Sequence, residues 1–391
     1  MTDLATALTA KVALDHMHLV DVTLSAGEQA TGVVFARSEK VRIARLLDEM
    51  GVPCIEVGTT GVGGEERDAI RAVVNQGLKA QLYVSCSTAP TEIEAAAEYG
   101  VHGATISIST SDIHLRRKLH KTHEWVLDRT ATAVEEAKRL GLAVTASAED
   151  ATRTDFDFLI AWASAAKKAG ADRLRLCDTV STLDPFRTYR LVERVRAAVA
   201  LDIELHTHND FGMATANLVG GVRAGAKYLV VSVHGLGERA GNAALEEVVM
   251  ALKHLHGVDL GITTTRFREL AEYVAAASGR PIPISKAVVG DYVFAHESGI
   301  HVDGVIKNPL NYEVFQPEEV GLTRQLLVGK HSGSHTIVHK FREFGIELTH
   351  EDATALLAMA RSMAVELKRA LFDKELIYIY NDYLKIKGNG K

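Results

Sequence analysis

Two histidines two residues apart, His206 and His208, followed by Asn209 and Asp210, form the first pattern in this chain that points to chemistry. On an extended strand that spacing turns both rings to one side. Imidazoles presented together suit zinc, iron, manganese or nickel; a pair of ordinary hydrogen-bonded histidines is the plainer alternative. A second candidate is the stretch from His234 to Asn242, whose Gly235 and Gly237 would let backbone N–H groups approach an anion. Its alternative is a flexible connector. Glu149, Asp150 and Arg153 form a third polar group, read equally as a loop salt bridge or as part of a site. Cys177-Asp178-Thr179 is a fourth. Between His296 and Gly304 titratable groups are dense, and His301 has the ordinary pKa range of a general acid or base. Cys54, Cys86 and Cys177 form no CxxC pair and suggest no disulfide framework, and Cys86 and Cys177 read as core fillers.

These residues need a scaffold, and a repeated unit supplies it. A helix closes on glycine and a short apolar strand follows, at Gly51, Gly77, Gly100, Gly141, Gly170 and Gly225. Ser38, Thr122 and Asp184 are N-cap candidates, the last with Pro185 at the first helical position. Strands are expected near 17–24, 53–58, 79–85, 102–108, 142–148, 172–177, 202–206 and 228–233, with an eighth helix near 242–256. Their apolar character fits a parallel sheet covered by helices. Eight strand-then-helix units predict an α/β fold, a closed (β/α)8 barrel over residues 1–275. A doubly wound open sheet is the runner-up, but Ser25-Ala-Gly-Glu-Gln29 after the first strand is no nucleotide-binding turn. Residues 276–391 leave this rhythm and read as a mainly helical lid and dimerisation region, with one long helix over 350–371 and a loose tail from Lys385. The polar groups above, apart from the one around His301, then fall at the C-terminal ends of strands five to eight, where barrel enzymes hold their chemistry. Strands seven and eight are neighbours there, so His234 is expected beside His206 and His208.

Composition excludes several classes. Of 391 residues, 24% are charged and 47% hydrophobic, with a net charge of −6, which offers no basic surface for nucleic acid. No apolar run reaches the ~20 residues of a membrane span. The start, Met1-Thr-Asp-Leu4, shows no signal peptide, and a cytoplasmic location is expected.

The chain resembles homocitrate synthases, isopropylmalate synthases and citramalate synthases, which are metal-dependent condensing enzymes related to HMG-CoA lyase. It is most similar to the short bacterial homocitrate synthases associated with nitrogenase cofactor assembly. The resemblance spans residues 17–370 and rests on several stretches. These are Asp21-Val-Thr-Leu and Gly27-Glu-Gln29, Ser111-Asp-Ile-His-Leu, Glu149-Asp-Ala-Thr-Arg153, Asp178-Thr-Val180, His206-Thr-His-Asn-Asp210, Gly235 to Asn242, Ser298-Gly-Ile-His301 and Gly329-Lys-His-Ser-Gly333.

The resemblance implies a condensation of acetyl-CoA with a 2-oxo dicarboxylic acid such as 2-oxoglutarate, at a divalent metal (Zn, Mn, Fe, Co or Mg) that polarises the ketone. It implies that His206 and His208 hold the metal and that Glu149, His301 and Tyr312 serve as acids and bases. Thr179, Gln29 and Arg153 would bind substrate, and Gly235, Gly237, Glu238 and Asn242 would lie by acetyl-CoA. A homodimer is expected, each lid reaching its partner's barrel.

Ser25 and Ala26 depart from the pattern, because the family carries arginine and an acidic metal ligand there. His234 stands where relatives have asparagine. His206, His208 and His234 are therefore expected to form a three-imidazole site that replaces the missing carboxylate, with Glu28 as a rival ligand. The alternatives are a diverged acyl-CoA enzyme or lyase, and a catalytically silent binding protein.

Overall fold

The six glycines expected to close helices all adopt the left-handed conformation, with φ between 64° and 102°. Each lets the chain reverse from a helix into a strand, and this sets the rhythm of a computed structural model that describes residues 17–389. Met1–Leu4, with its leader reading, and the last two residues lie outside that range.

Eight strands result: β1 (His18–Asp21), β2 (Cys54–Thr59), β3 (Gln81–Cys86), β4 (Gly103–Ser109), β5 (Ala143–Glu149), β6 (Arg173–Asp178), β7 (Asp202–Thr207) and β8 (Tyr228–Val231). All pair in parallel in sequence order, and β8 returns to β1 through His18–Tyr228 to Asp21–Val231, closing the barrel. The helices that follow the strands are α1 (Arg37–Glu49), α2 (Gly64–Val74), α3 (Pro90–Tyr99), α4 (His123–Arg139), α5 (Phe156–Ala169), α6 (Pro185–Ala198), α7 (Ala214–Arg223) and α8 (Leu245–His256). This is the expected (β/α)8 architecture.

The caps explain where helices start. Asp184 accepts from the N–H groups of Phe186 and Arg187, both at 2.9 Å, and Thr122 accepts from Trp125. Ser38 does not cap its helix. The start moves to Ala36, whose N–H donates to Glu39 Oε2 at 2.7 Å, so the carboxylate three residues on sets the boundary.

The inner face of the barrel departs from the expectation of apolar strands. Helices cover only the outside, so inward side chains must satisfy one another. Arg175 Nη2 meets Glu56 Oε2 at 2.8 Å, and its Nε hydrogen-bonds Glu204. Arg173 Nε lies 2.6 Å from Glu204 Oε2, and its guanidinium sits over the rings of Tyr83 and Tyr228 at 4.5 and 4.3 Å. Burial opposes charge on Arg175, yet the Glu204 and Glu56 carboxylates outweigh it and hold its pKa above the usual value.

The chain divides into two units, one ending at Ile282 and one beginning at Pro283. The first keeps a ninth helix, α9 (Phe267–Ser278), tied to α1 by Arg266 Nη1 to Glu49 at 2.9 Å. The second contains α10 (Gly299–Lys307), α11 (Ser334–Glu343), α12 (His350–Leu367) and α13 (Asp373–Asn389), around a core that includes Ile337, Phe341, Leu356, Leu371 and Leu376. The single helix expected over 350–371 instead ends at Leu367, where Lys368 turns left-handed with φ 54°. The tail expected to be loose is helical as far as Asn389, because Glu375 accepts from Phe372 N–H at 2.8 Å and starts a new helix. Among the described residues no helix is long and apolar enough to cross a membrane.

Candidate active site

Strand alternation brings His206 and His208 to the same side of the C-terminal end of β7, with ring centroids 4.7 Å apart. A third donor joins them. Asn242 sends its amide N–H to Leu236 O at 2.8 Å, which leaves its Oδ1 to accept from His206 Nε2 at 2.9 Å. His208 Nδ1 donates to Asp178 O at 3.1 Å, which fixes the tautomer and leaves Nε2 as the bare nitrogen. Asp178 is itself held by Thr152, Thr182 and Leu183. Burial keeps both imidazoles below their ordinary pKa, and for His206 the neighbouring His208 adds to the effect. Both are therefore neutral at pH 7, the state a ligand needs.

His234 does not join them. Its φ of 60° swings the ring away from β7, and its Nε2 donates to Ala271 O of α9 at 2.7 Å. Its Nδ1 lies 3.7 Å from Glu246. The three-imidazole expectation is therefore corrected: His206 pairs with Asn242, and His234 with α9. Glu28 is also withdrawn as a ligand. It pairs with the buried Lys40 at 2.5 Å and accepts from Phe35 N–H at 2.8 Å, which ties it to the base of α1.

A divalent ion fits this set in a particular way. His206, His208 and Asn242 offer two nitrogens and one amide oxygen, all neutral. Ala26 packs a methyl group against the interior cluster of Val20, Val22, Cys54, Tyr83 and Val230 and offers no ligand. Among the described residues no three of His, Cys, Asp and Glu converge as a metal-holding group. An ion at His206 Nε2 requires the proton on Nδ1, and Cys177 Sγ, 3.8 Å away, is positioned to accept it.

The neighbouring strand ends supply charge. Glu149 Oε1 accepts from Lys118 Nζ at 2.7 Å, and its Oε2 from Ser109 at 2.6 Å. His114 Nδ1 is 3.5 Å from the same carboxylate. Burial would raise the Glu149 pKa, but these partners bring it below the usual range. Asp150, left-handed at φ 61°, donates its N–H to Thr179 Oγ1 at 2.8 Å and binds Arg153 Nε at 2.8 Å. Arg153 thus forms a loop salt bridge with Asp150, not with Glu149, the partner expected for it. Thr179 is further linked through its carbonyl to Arg239, which also grips Asp210 at 2.9 Å. Lys118, Ser109 and His114 escaped the sequence reading as site residues, although His114 stands in a stretch that carried the family resemblance.

At position 25 the hydroxyl donates to Glu56 Oε1 at 2.7 Å, so Ser25 caps the interior charge network. Ser25 and Gln29 open onto a cavity of about 790 Å³ whose walls include Val33, Val34, Phe35 and Val62. The glycine loop is closed on itself. A Cβ on Gly235 would meet Asn242 O at 2.6 Å, and one on Gly237 would meet Asn242 Nδ2 at 2.5 Å. Those glycines exist to seat Asn242, and Glu238 is left exposed to solvent. In the second unit the His301 and Tyr312 rings meet with centroids 4.5 Å apart and planes tilted by 47°. Gly304 lies beneath, where a Cβ would meet the Tyr312 ring at 2.4 Å.

Residues 16–274 match the HMGL-like family, and residues 288–368 match the homocitrate synthase post-HMGL domain-like family. The chain belongs to the HMGL-like family. This HMGL-like chain is 57% identical to 2-isopropylmalate synthase 2 of Caldanaerobacter subterraneus over 375 residues, 96% of this chain and 97% of that protein. It is 47% identical to homocitrate synthase 1 of a Nostoc species over 362 residues, covering 93% and 96%. It is 42% identical to an (R)-citramalate synthase of Methanocaldococcus jannaschii over 366 residues, covering 94% and 74%. Among solved structures the HMG-CoA lyase of Bacillus subtilis shares the fold with a TM-score of 0.63 at 21% identity, over 68% of this chain and 95% of that one. The HMGL-like chain is an enzyme of the transferase type found among its close relatives.

Proposed function

We propose that this HMGL-like protein condenses acetyl-CoA with a 2-oxo acid at the mouth of its barrel. Relatives named for 2-isopropylmalate, homocitrate and citramalate make products that differ in the 2-oxo acid and share the added two-carbon unit. The observation that carries the reading is one connected polar surface across four strand ends. Glu149 lies on β5 and Asp178-Thr179 after β6, with His206 and His208 on β7 and Asn242 beyond β8, joined by the hydrogen bonds described above.

In this reading Thr179 orients the carboxylate of the 2-oxo acid, and Arg153 acts only by holding Asp150, whose N–H donates to Thr179. Glu149 is ionised at neutral pH, as a base must be, and departure of Lys118 raises its basicity. His301 and Tyr312 supply a second acid–base pair. A divalent ion held by His206, His208 and Asn242 would polarise the ketone. The developing oxyanion lacks an arginine, because Ser25 is bound to Glu56, and Arg175 is fixed between Glu56 and Glu204. Loss of such a group costs about 10²–10³ in turnover, so a slow enzyme is expected.

The 2-oxo acid has two readings. A dicarboxylate such as 2-oxoglutarate follows from the homocitrate synthase resemblance. A branched aliphatic 2-oxo acid is favoured by the relative at 57% identity, which is named for 2-isopropylmalate. Release of free thiol from acetyl-CoA is the test, with 2-oxoglutarate, 3-methyl-2-oxobutanoate and pyruvate offered separately to folded, metal-loaded protein. Release with one of them is expected; none with any would sink the reading.

A further inference from the structure

Between β4 and α4 the chain reads Leu115-Arg-Arg-Lys-Leu-His-Lys-Thr-His123, a concentration of cations unmatched elsewhere around the strand ends. Leu115–Leu119 forms a turn of π-helix, and His120 closes it with φ 52°. Most of these charges are engaged locally. Arg116 binds Asp112 at 2.8 Å, His123 binds the same carboxylate at 2.8 Å, and Lys118 holds Glu149. Arg117 and Lys121 are different. Both are exposed, and neither meets a carboxylate among the described residues. Lys121 Nζ instead stands 5.2 Å from the centroid of the Trp125 ring, which is half-buried and keeps one part open to solvent.

Lys121 beside a partly open indole, with the exposed Arg117 four residues earlier in the same segment, makes a platform for a polyanion that carries an aromatic base. The cations take phosphates through charge-assisted hydrogen bonds, and the indole face takes a purine by stacking. The platform begins one residue from Lys118, which touches Glu149. The glycine loop after β8 offers no such charge, since its single cation, Arg239, is bound to Asp210 and Thr179 and its neighbour Glu238 is acidic.

We propose that Arg117, Lys121 and Trp125 form the subsite for the 3′-phosphoadenosine diphosphate end of coenzyme A, with the thioester end directed along the segment toward Glu149. This replaces the glycine loop as the site of the CoA phosphates, and it rests on the acetyl-CoA reading above.

Calorimetric titration with CoA, dephospho-CoA and pantetheine separates the two ideas. The Arg117→Ala, Lys121→Ala double variant is expected to bind CoA about tenfold or more weakly. Its preference for CoA over pantetheine should collapse. Wild-type affinity for CoA should fall as KCl rises while that for pantetheine holds. CoA should also quench the fluorescence of Trp125, since the second tryptophan, Trp162, is fully buried, and Trp125→Phe should remove the quenching. Unchanged CoA affinity in the double variant, equal losses for CoA and pantetheine, or salt-independent CoA binding would each overturn the subsite. Wild-type protein that binds neither CoA nor pantetheine would overturn the acetyl-CoA reading itself.

Discussion

At the scale of single residues, the proposed metal site turns on three neutral donors. His206 and His208 were legible because a spacing of two on a strand fixes their common direction. Asn242 was legible as a loop residue but not as their partner. Its approach to His206 depends on Gly235 and Gly237 folding the loop around it, which no local pattern announces. His234 was misjudged for a related reason: adjacency of strands places a backbone, while its φ of 60° decides where the ring goes. Metal content after equilibration with Zn or Mn tests this assignment. His206→Ala and Asn242→Ala should lose most of the metal, whereas His234→Ala should retain it. Retention by the first two would discard the donor set. Restoring the family pattern with Ser25→Arg and Ala26→Asp should tighten metal binding and raise condensation by about 10²-fold, the magnitude of one recovered oxyanion contact. The new arginine also has a carboxylate waiting, since Ser25 already donates to Glu56. No gain in either quantity would mean that this barrel has been redirected to other chemistry.

At the scale of elements, the barrel strands carry two messages on their two faces. The outer face obeys the apolar rule that made eight strands readable from sequence. The inner face was harder to read, although Arg173-Leu-Arg-Leu-Cys177 and Glu204-Leu-His206 alternate charge with leucine in plain view. Charged residues inside a strand are uncommon enough to signal a paired interior, but their partners lie on other strands and appear only after closure. Glu204 stabilises two arginines at once, so Glu204→Ala should lower unfolding free energy by about 3–5 kcal/mol in denaturant titration. A loss under ~1 kcal/mol would show that water replaces it. Asp21 at the end of β1 gives a pH-dependent counterpart. Burial pushes its carboxyl up to about 7, and the hydrogen bonds from Thr23 pull it back only in part. An unfolded chain ionises this group from its ordinary value of 3.8, so each rise in pH between 3.8 and about 7 favours the unfolded state, and the penalty levels off above that. Asp21→Asn removes the titration. Its melting temperature relative to the parent should therefore climb between pH 4.5 and 7.5 and then stay flat. A constant difference across that range would show that Asp21 is ionised in the fold.

At the scale of the whole molecule, the second unit holds the proposed acid–base pair within an unusually apolar surface. Between residues 300 and 314, Ile300, Leu310 and Val314 are each about 75% exposed, and Ile306 and Tyr312 are also open to solvent. This is a costly arrangement for a monomer, because a run of exposed branched side chains binds no water usefully and invites association. The same stretch carries His301 and Tyr312, so covering it changes the surroundings of the proposed acid–base pair. The sequence led to the expectation of a homodimer through the long apolar helix over 350–371, an acid–base pair outside the barrel and the family resemblance. The physical case lies elsewhere, because Leu356, Ala360 and Ala364 of α12 are buried within their own unit. The surface that calls for a partner is α10 and the turn after it. Light scattering at micromolar concentration should return twice the 42.4 kDa chain mass. Ile300→Lys with Leu310→Lys should shift that value to one chain, since two buried ammonium groups cannot be accommodated in an apolar contact. If condensation falls together with the loss of the dimer while the melting temperature holds, His301 and Tyr312 act in a setting that needs the second copy. If the parent protein is already a monomer, or if the double variant remains a dimer, the 300–314 surface has another role and the acid–base pair works within one chain.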